Sequence, residues 1–122
     1  MTYQGYDSLE LSVIRWAEDR KIIPYSNSNA QAQKTLEEAG ELLEAATALQ
    51  VLRSLRYEKE HEFYQYWLQK YMDAVGDIVV TLINGAALEE VQVTKCLAMA
   101  YDEIKDRTGH MNADGIFVKD SK

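Results

Sequence analysis

Apolar residues along this chain recur at three- and four-residue intervals, and no stretch of strict alternation competes with that period. The pattern is the signature of amphipathic helices rather than half-buried strands. Over 6–21, Leu9, Val13 and Trp16 repeat at helical spacing, with Asp7 or Ser8 available to cap the first turn. Segment 22–29 holds the only proline, Pro24, and is rich in Ser and Asn, so it predicts a loop with helices on either side. From 30 to 52 the string is dominated by Ala, Leu, Glu and Gln, with Gly40 the one breaker and Asn27, Ser28 or Asn29 as cap, which predicts a second helix. The next stretch, 53–62, mixes both charge signs without periodicity and reads as an exposed connection or a frayed helical extension.

Over 63–87, Tyr64, Trp67, Leu68, Tyr71, Val75, Ile78, Val79 and Leu82 share one broad face and define a third helix. A fourth is predicted over 89–106, with Val91, Leu97, Ala98, Tyr101 and Ile104 facing inward and Arg107-Thr108-Gly109 as its stop signal. The tail, 110–122, reads as a loop holding a short Gly-Ile-Phe-Val run. These elements predict an all-α, four-helix bundle-like fold forming a single domain over 1–122. The apolar faces are wide for a chain of this size, so part of that surface is expected to be covered by a second subunit, in a homodimer or homotetramer.

Composition narrows the partners. With 47% hydrophobic and 27% charged residues the chain is an ordinary globular one, and a net charge of −7 argues against a broad nucleic-acid-binding face. The single cysteine, Cys96, cannot close an internal disulfide and suits a reducing cytoplasm. The first eleven residues lack the basic and apolar regions of a secretory signal. The longest apolar run, 78–88, is broken by Thr81 and Asn84 and falls short of the ~20 residues a membrane span needs, so no membrane partner is expected.

The acidic residues are less ordinary. At ~100° per residue, Glu37, Glu38, Glu41 and Glu44 share one face of the second helix, with Leu36, Ala39, Leu43 and Ala46 opposite. A plain solvated face accounts for such a stripe, but solvated faces usually alternate charge signs, and here the only base between 30 and 50 is Lys34. Each like-charge pair at this spacing costs ~0.2–0.5 kcal/mol. In the third helix the polar side chains between Met72 and Leu88 are Asp73, Asp77, Thr81 and Asn84, a single line on an otherwise apolar helix. That line must face the bundle or an adjoining cavity, which partly desolvates two carboxylates, with only Lys70 beside them. A cation between the two helices resolves both crowdings, and an all-oxygen donor set selects Mg²⁺ or Mn²⁺ over zinc. Hydrogen bonds to buried backbone, or lysines from elsewhere in the chain, are the alternative.

Taken in order, Trp16-Ala17-Glu18-Asp19-Arg20, Lys34-Thr35-Leu36-Glu37-Glu38-Ala39-Gly40-Glu41-Leu42, and Gly76-Asp77 with Asn84 seven residues on resemble the MazG-like all-α nucleoside triphosphate pyrophosphohydrolases. Tyr101-Asp102-Glu103-Ile104-Lys105-Asp106-Arg107 and Gly115-Ile116-Phe117-Val118-Lys119 are similar to the short phage and bacterial members. The family pattern is E-x-x-E, a spacer, then E-x-x-D, with the four acids holding magnesium. Glu38, Glu41 and Asp77 match its first, second and fourth positions; Ala74 stands where the third has Glu, with Asp73 one residue earlier on the same helix face.

The resemblance implies hydrolysis of a nucleoside triphosphate to the monophosphate and pyrophosphate. The implied roles are metal binding by Glu38, Glu41, Asp73 and Asp77 and water positioning by Glu37 or Asp73. Lys34, Lys105, Arg107 and Lys119 are then candidate phosphate partners, Asn84 a ligand contact and Trp16 a stacking surface for a base. Each has a plainer reading as a surface charge, a helix C-terminal residue or a core aromatic. Two other functions fit the residues, a non-catalytic nucleotide- or alarmone-binding relative and a helical interaction module. A ferritin-like di-iron site is disfavoured because the Glu-x-x-His pairs are missing.

Overall fold

The computed structural model describes residues 3–120, so 121 and 122 of the predicted tail lie outside the described residues. Five helices and one small hairpin follow in order: α1 (Tyr6–Asp19), α2 (Ile22–Tyr25), α3 (Ser28–Ser54), α4 (Glu62–Leu88), α5 (Val93–Ile104), β1 (Gly109–Met111) and β2 (Phe117–Lys119). The chain is mostly helical, as its period predicts.

The architecture is dominated by the α3–α4 hairpin, two helices of 27 residues each lying along one another. Asn27 starts α3: its side-chain oxygen accepts from Ala30 N at 2.8 Å, one of the caps its sequence offered. His61 starts α4 in the same way, Nδ1 accepting from Phe63 N at 3.1 Å. The connection between them, 55–61, turns through Arg56 at φ 63°. At this end of the hairpin Leu49, Leu52 and Tyr64 form the buried cluster, with Tyr57, Trp67, Leu68 and Tyr71 packed against it. Toward the other end, α1 and the short α2 lean against α4, burying Ala17 and Ile83.

Several boundaries and faces differ from the sequence reading. The cap of α1 is Gly5, which makes no side-chain cap bond; Asp7 lies inside the first turn, its Oδ1 accepting from Ser8 N at 2.9 Å. The predicted loop at 22–29 begins as a tight turn through a cis Ile23–Pro24 bond, with Ile23 non-helical (φ −102°, ψ 123°) and Ser26 N donating to Ile22 O at 2.8 Å, and it is shorter than expected because α3 starts at Ser28. The fourth predicted helix begins four residues later, at Val93, because the chain turns through Glu90 at φ 61°. None of its residues is buried; Val91, Leu97, Tyr101 and Ile104, expected inside, are exposed. The Gly-Ile-Phe-Val run belongs to an antiparallel hairpin in which Gly109 pairs with Lys119, His110 with Val118 and Met111 with Phe117.

One further contact ties distant parts of the chain. Glu10, only 2% exposed, accepts from Val93 N at 2.6 Å, Thr94 N at 3.1 Å and the Thr94 hydroxyl at 2.5 Å, so a carboxylate from α1 caps α5. By length and composition α4 is also long and apolar enough to cross a membrane. The sequence count stopped at the polar interruptions, whereas the helix carries them along one line while it lies against α3.

Candidate functional site

Past the apolar cluster, the contact between α3 and α4 changes character. Thr35 Oγ1 and Thr81 Oγ1 meet across the helices at 2.7 Å, and each also bonds a carbonyl of its own helix, Gln31 O at 2.9 Å and Ile78 O at 2.7 Å. Two hydroxyl protons serve three contacts, so one bond is always given up. One turn further along α3 lies Glu38, a buried carboxylate on the side that meets α4. Its Oε1 is 3.7 Å from Lys34 Nζ, and its Oε2 is fully buried without a hydrogen-bond partner.

The Glu38 carboxyl is held above its ordinary range. The first cause is the approach of Glu41 to hydrogen-bonding distance, which favours a shared proton; burial and the charges of Glu41 and Asp77 act in the same direction, while Lys34 opposes them. Glu38, Glu41 and Asp77 therefore feel one another across the two helices. Of the α3 acids Glu38 alone is buried; Glu37, Glu41 and Glu44 are exposed, and the apolar positions Leu36 and Leu43 also point out, 76% and 69% exposed.

Glu41 and Asp77, whose charges reach Glu38, line a cavity of about 300 Å³ together with Glu44, Tyr66, Trp67, Lys70, Asp73 and Ala74; Glu38 itself is not in its wall. Four carboxylates and one ammonium thus share a single pocket. Asp73 and Asp77 are exposed rather than desolvated, because the pocket admits water; their line goes under cover only at Thr81 and Asn84. Asp73 accepts from Gln69 Nε2 at 3.0 Å. Ala74, 3% exposed, makes part of the pocket wall, and its methyl leaves room that a longer side chain would fill. Asn84 is buried, and its Oδ1, like Glu38 Oε2, has no partner.

The remaining predicted site residues are placed elsewhere. Glu37 points away from the pocket and pairs with Lys34 at 3.3 Å, an interaction that raises the lysine above its ordinary range through the hydrogen bond first and the glutamate charge second. Trp16 is 42% exposed on α1 and carries the Arg20 guanidinium over its ring at 4.6 Å. Lys105 pairs with Asp102 at 2.8 Å and Arg107 with Glu103 at 3.8 Å, all on α5 or just beyond it, and Lys119 is in β2. None of the four basic candidates lines the cavity; Lys70 does, and Glu44, Tyr66 and Trp67 join it there. A helical wheel of α4 places Lys70 one turn before Asp73 and Ala74, which was the available signal for it.

The donor set is all oxygen, and it includes a buried carboxylate oxygen lacking any partner, so its chemistry fits a hard divalent ion. Among the described residues no group of three or more His, Cys, Asp or Glu side chains is placed to hold a metal ion. Comparison with protein-family models, with characterised proteins and with solved structures finds no match to the chain.

Proposed function

We propose that this chain is a nucleoside triphosphate pyrophosphohydrolase dependent on Mg²⁺, with Mn²⁺ as the other suitable ion, of the MazG-like type that its sequence resembles. In this reading the fold is a four-helix bundle type in one domain. The protein works in the cytoplasm as a homodimer or homotetramer, without nucleic-acid or membrane partners. The observation that carries the reading is the burial of one α3 acid, Glu38, against α4. A buried, unpartnered Glu38 oxygen lies next to Glu41 and Asp77, at the edge of a pocket with four carboxylates.

Glu38, Glu41 and Asp77 would hold the ion, with Asp73 beside them in the position nearest the missing third acid. A bound divalent ion would supply charge compensation for phosphate oxygens and a more acidic water. Asp73, on the pocket wall, is better placed than Glu37 to orient a water for attack on the α-phosphorus, with cleavage of the bond to the bridging oxygen and departure of pyrophosphate. Lys70 takes the part of phosphate partner inside the pocket, while Lys34 is engaged by Glu37 and Glu38. Trp67 and Tyr66 offer an aromatic wall of the kind the sequence reading sought in Trp16. Asn84, one turn beyond Thr81, is buried and outside the pocket wall, so the ligand contact implied for it is not part of this reading.

Incubation with a panel of nucleoside triphosphates and Mg²⁺ should release pyrophosphate rather than phosphate. Glu41→Gln and Asp77→Asn should each lower the rate by about a hundredfold or more, the scale expected when a group that stabilises transition-state charge is lost. Undiminished turnover in either variant would defeat the assignment. A second reading, a nucleotide-binding protein without turnover, is favoured by Ala74 standing where the family pattern has Glu. It predicts metal-dependent nucleotide binding by calorimetry with no pyrophosphate released.

A further inference from the structure

The chain exposes 9,604 Å², whereas a compact monomer of 14.0 kDa is expected to expose about 6,700 Å². Exposed apolar side chains occur on most elements, Tyr25, Leu55 and Met72 among them, and two places bear on what could cover them. One is an arm made of α5 and the β1–β2 hairpin. On α5, Leu97, Tyr101 and Ile104 form a stripe at four- and three-residue spacing and are 60%, 63% and 49% exposed. In the hairpin Met111, Ile116 and Phe117 are 62%, 60% and 49% exposed. The hairpin packs on itself, with the Phe117 ring lying across Gly109 so closely that even a methyl there would collide. Two three-residue strands without a covering element are marginal in water. The other place is the outer side of α3, where Leu36 and Leu43, one heptad apart, stand clear of α4.

The arm is nevertheless aimed. The Glu10 carboxylate holds the first amides of α5 and the Thr94 hydroxyl, and it is itself buried. A segment with a fixed root and no buried residue is shaped for a surface that one chain does not contain.

We propose that the arm docks on a second copy of this chain, its α5 stripe and hairpin seated on the partner's outer α3 face at Leu36 and Leu43. This develops the homo-oligomer part of the function proposed above and does not depend on the chemistry of the pocket. A twofold operation lets each arm cover the other copy's strip, so both bare regions disappear in one step. The excess, about 2,900 Å² per chain or about 5,800 Å² for two, is at the upper end of what obligate homodimers bury in total, so it leaves ample surface for such an interface. Pairing of arm with arm would leave Leu36 and Leu43 in water. A net charge of −7 argues against an anionic lipid surface as the occupant.

Light scattering of the full chain at micromolar concentration should give a mass of at least two chains. Leu97→Glu, Phe117→Glu and Leu43→Glu change exposed positions; each should weaken association by roughly thirtyfold or more while far-UV circular dichroism retains the helix content. In the wild type, amide exchange across 109–119 should be slow at high concentration and accelerate on dilution in step with the mass, a reading that needs no variant. A wild-type mass of one chain overturns the proposal. So does a hairpin that exchanges freely within the oligomer, or an arm or Leu43 variant that associates like the wild type. Pyrophosphate release, measured separately, tests the pocket, so failure of either proposal leaves the other standing.

Discussion

The two ends of the α3–α4 hairpin use the same backbone for opposite purposes. At the loop end, Leu49 and Leu52 meet Tyr64 in a dry cluster that supplies much of what little apolar core the chain has. At the other end, Thr35 and Glu38 meet Thr81 and Asp77 and the contact becomes polar, with one carboxylate oxygen and one amide oxygen left without partners. A buried, unpartnered acceptor costs about 1–3 kcal/mol, more when charged. The apolar end offsets that cost, so the pair of helices stays together despite the unpartnered polar atoms at the other end. Stability and chemistry are thereby separated along a single hairpin, and variants at the two ends should affect different measurements.

The largest stability effect is expected at the apolar end. Leu49, 5% exposed at the centre of the cluster, loses both transfer energy and packing when shortened, so Leu49→Ala should cost about 2–5 kcal/mol. For a chain this short such a loss is a large share of the total. Chemical denaturation should show the unfolding free energy reduced by that amount, read as a lower midpoint at unchanged slope, while any rise in stability with Mg²⁺ stays as in the wild type. A loss under about 1 kcal/mol would mean that the cluster does not hold the hairpin together.

How much of this was legible in the sequence follows from the range of each interaction. The Asn27 cap, the long helices and the acidic lines are local, and the residue pattern announces them. Ala and Leu are spread over so many sides of α3 that periodicity alone did not say whether Leu36 and Leu43 or the glutamates would meet α4; only the partner helix decides. The hairpin strands, three residues each, are too short for alternation to register. The bond from Glu10 to Val93 and Thr94 spans more than eighty residues and leaves no trace in either segment. Of the candidate cations, Lys105, Arg107 and Lys119 were drawn from the family resemblance, whereas the one in the pocket, Lys70, stood beside the acids on the same helix.

Ala74 sharpens the comparison by moving the polar end one step further. A glutamate there would point from the buried wall into a pocket that already holds Glu41, Glu44, Asp73 and Asp77. Without metal, Ala74→Glu should therefore be less stable than the wild type by an amount comparable to one buried unpaired group, about 1–3 kcal/mol. With Mg²⁺ it should recover more than the wild type does, because a ligand that binds only the folded state stabilises it in proportion to affinity. Thermal unfolding with and without Mg²⁺ distinguishes this from simple damage. If Mg²⁺ raises the melting temperature of the variant no more than that of the wild type, the pocket at residue 74 does not face the ion.

The smallest effect is the most specific, because it has opposite signs with and without metal. Glu38 is held above its ordinary value of 4.5 by Glu41, by burial and by Asp77. The folded chain therefore binds this proton more tightly than the unfolded chain does. Its contribution to stability is fully present below pH 4.5 and is lost as pH rises through the elevated folded value. Glu38→Gln removes the ionisation and keeps the shape. At neutral pH in a chelator the variant should be the more stable protein, with the advantage shrinking to nothing as the solution is acidified and the wild-type carboxyl takes up its proton. Saturating Mg²⁺ should reverse the order, since the wild type gains a ligand that the amide cannot replace. Two melting series across pH, with and without the ion, test both halves. A variant less stable than the wild type in chelator at neutral pH would mean that Lys34, 3.7 Å from the carboxylate, already satisfies Glu38, and the polar end of the hairpin would have no need of a cation.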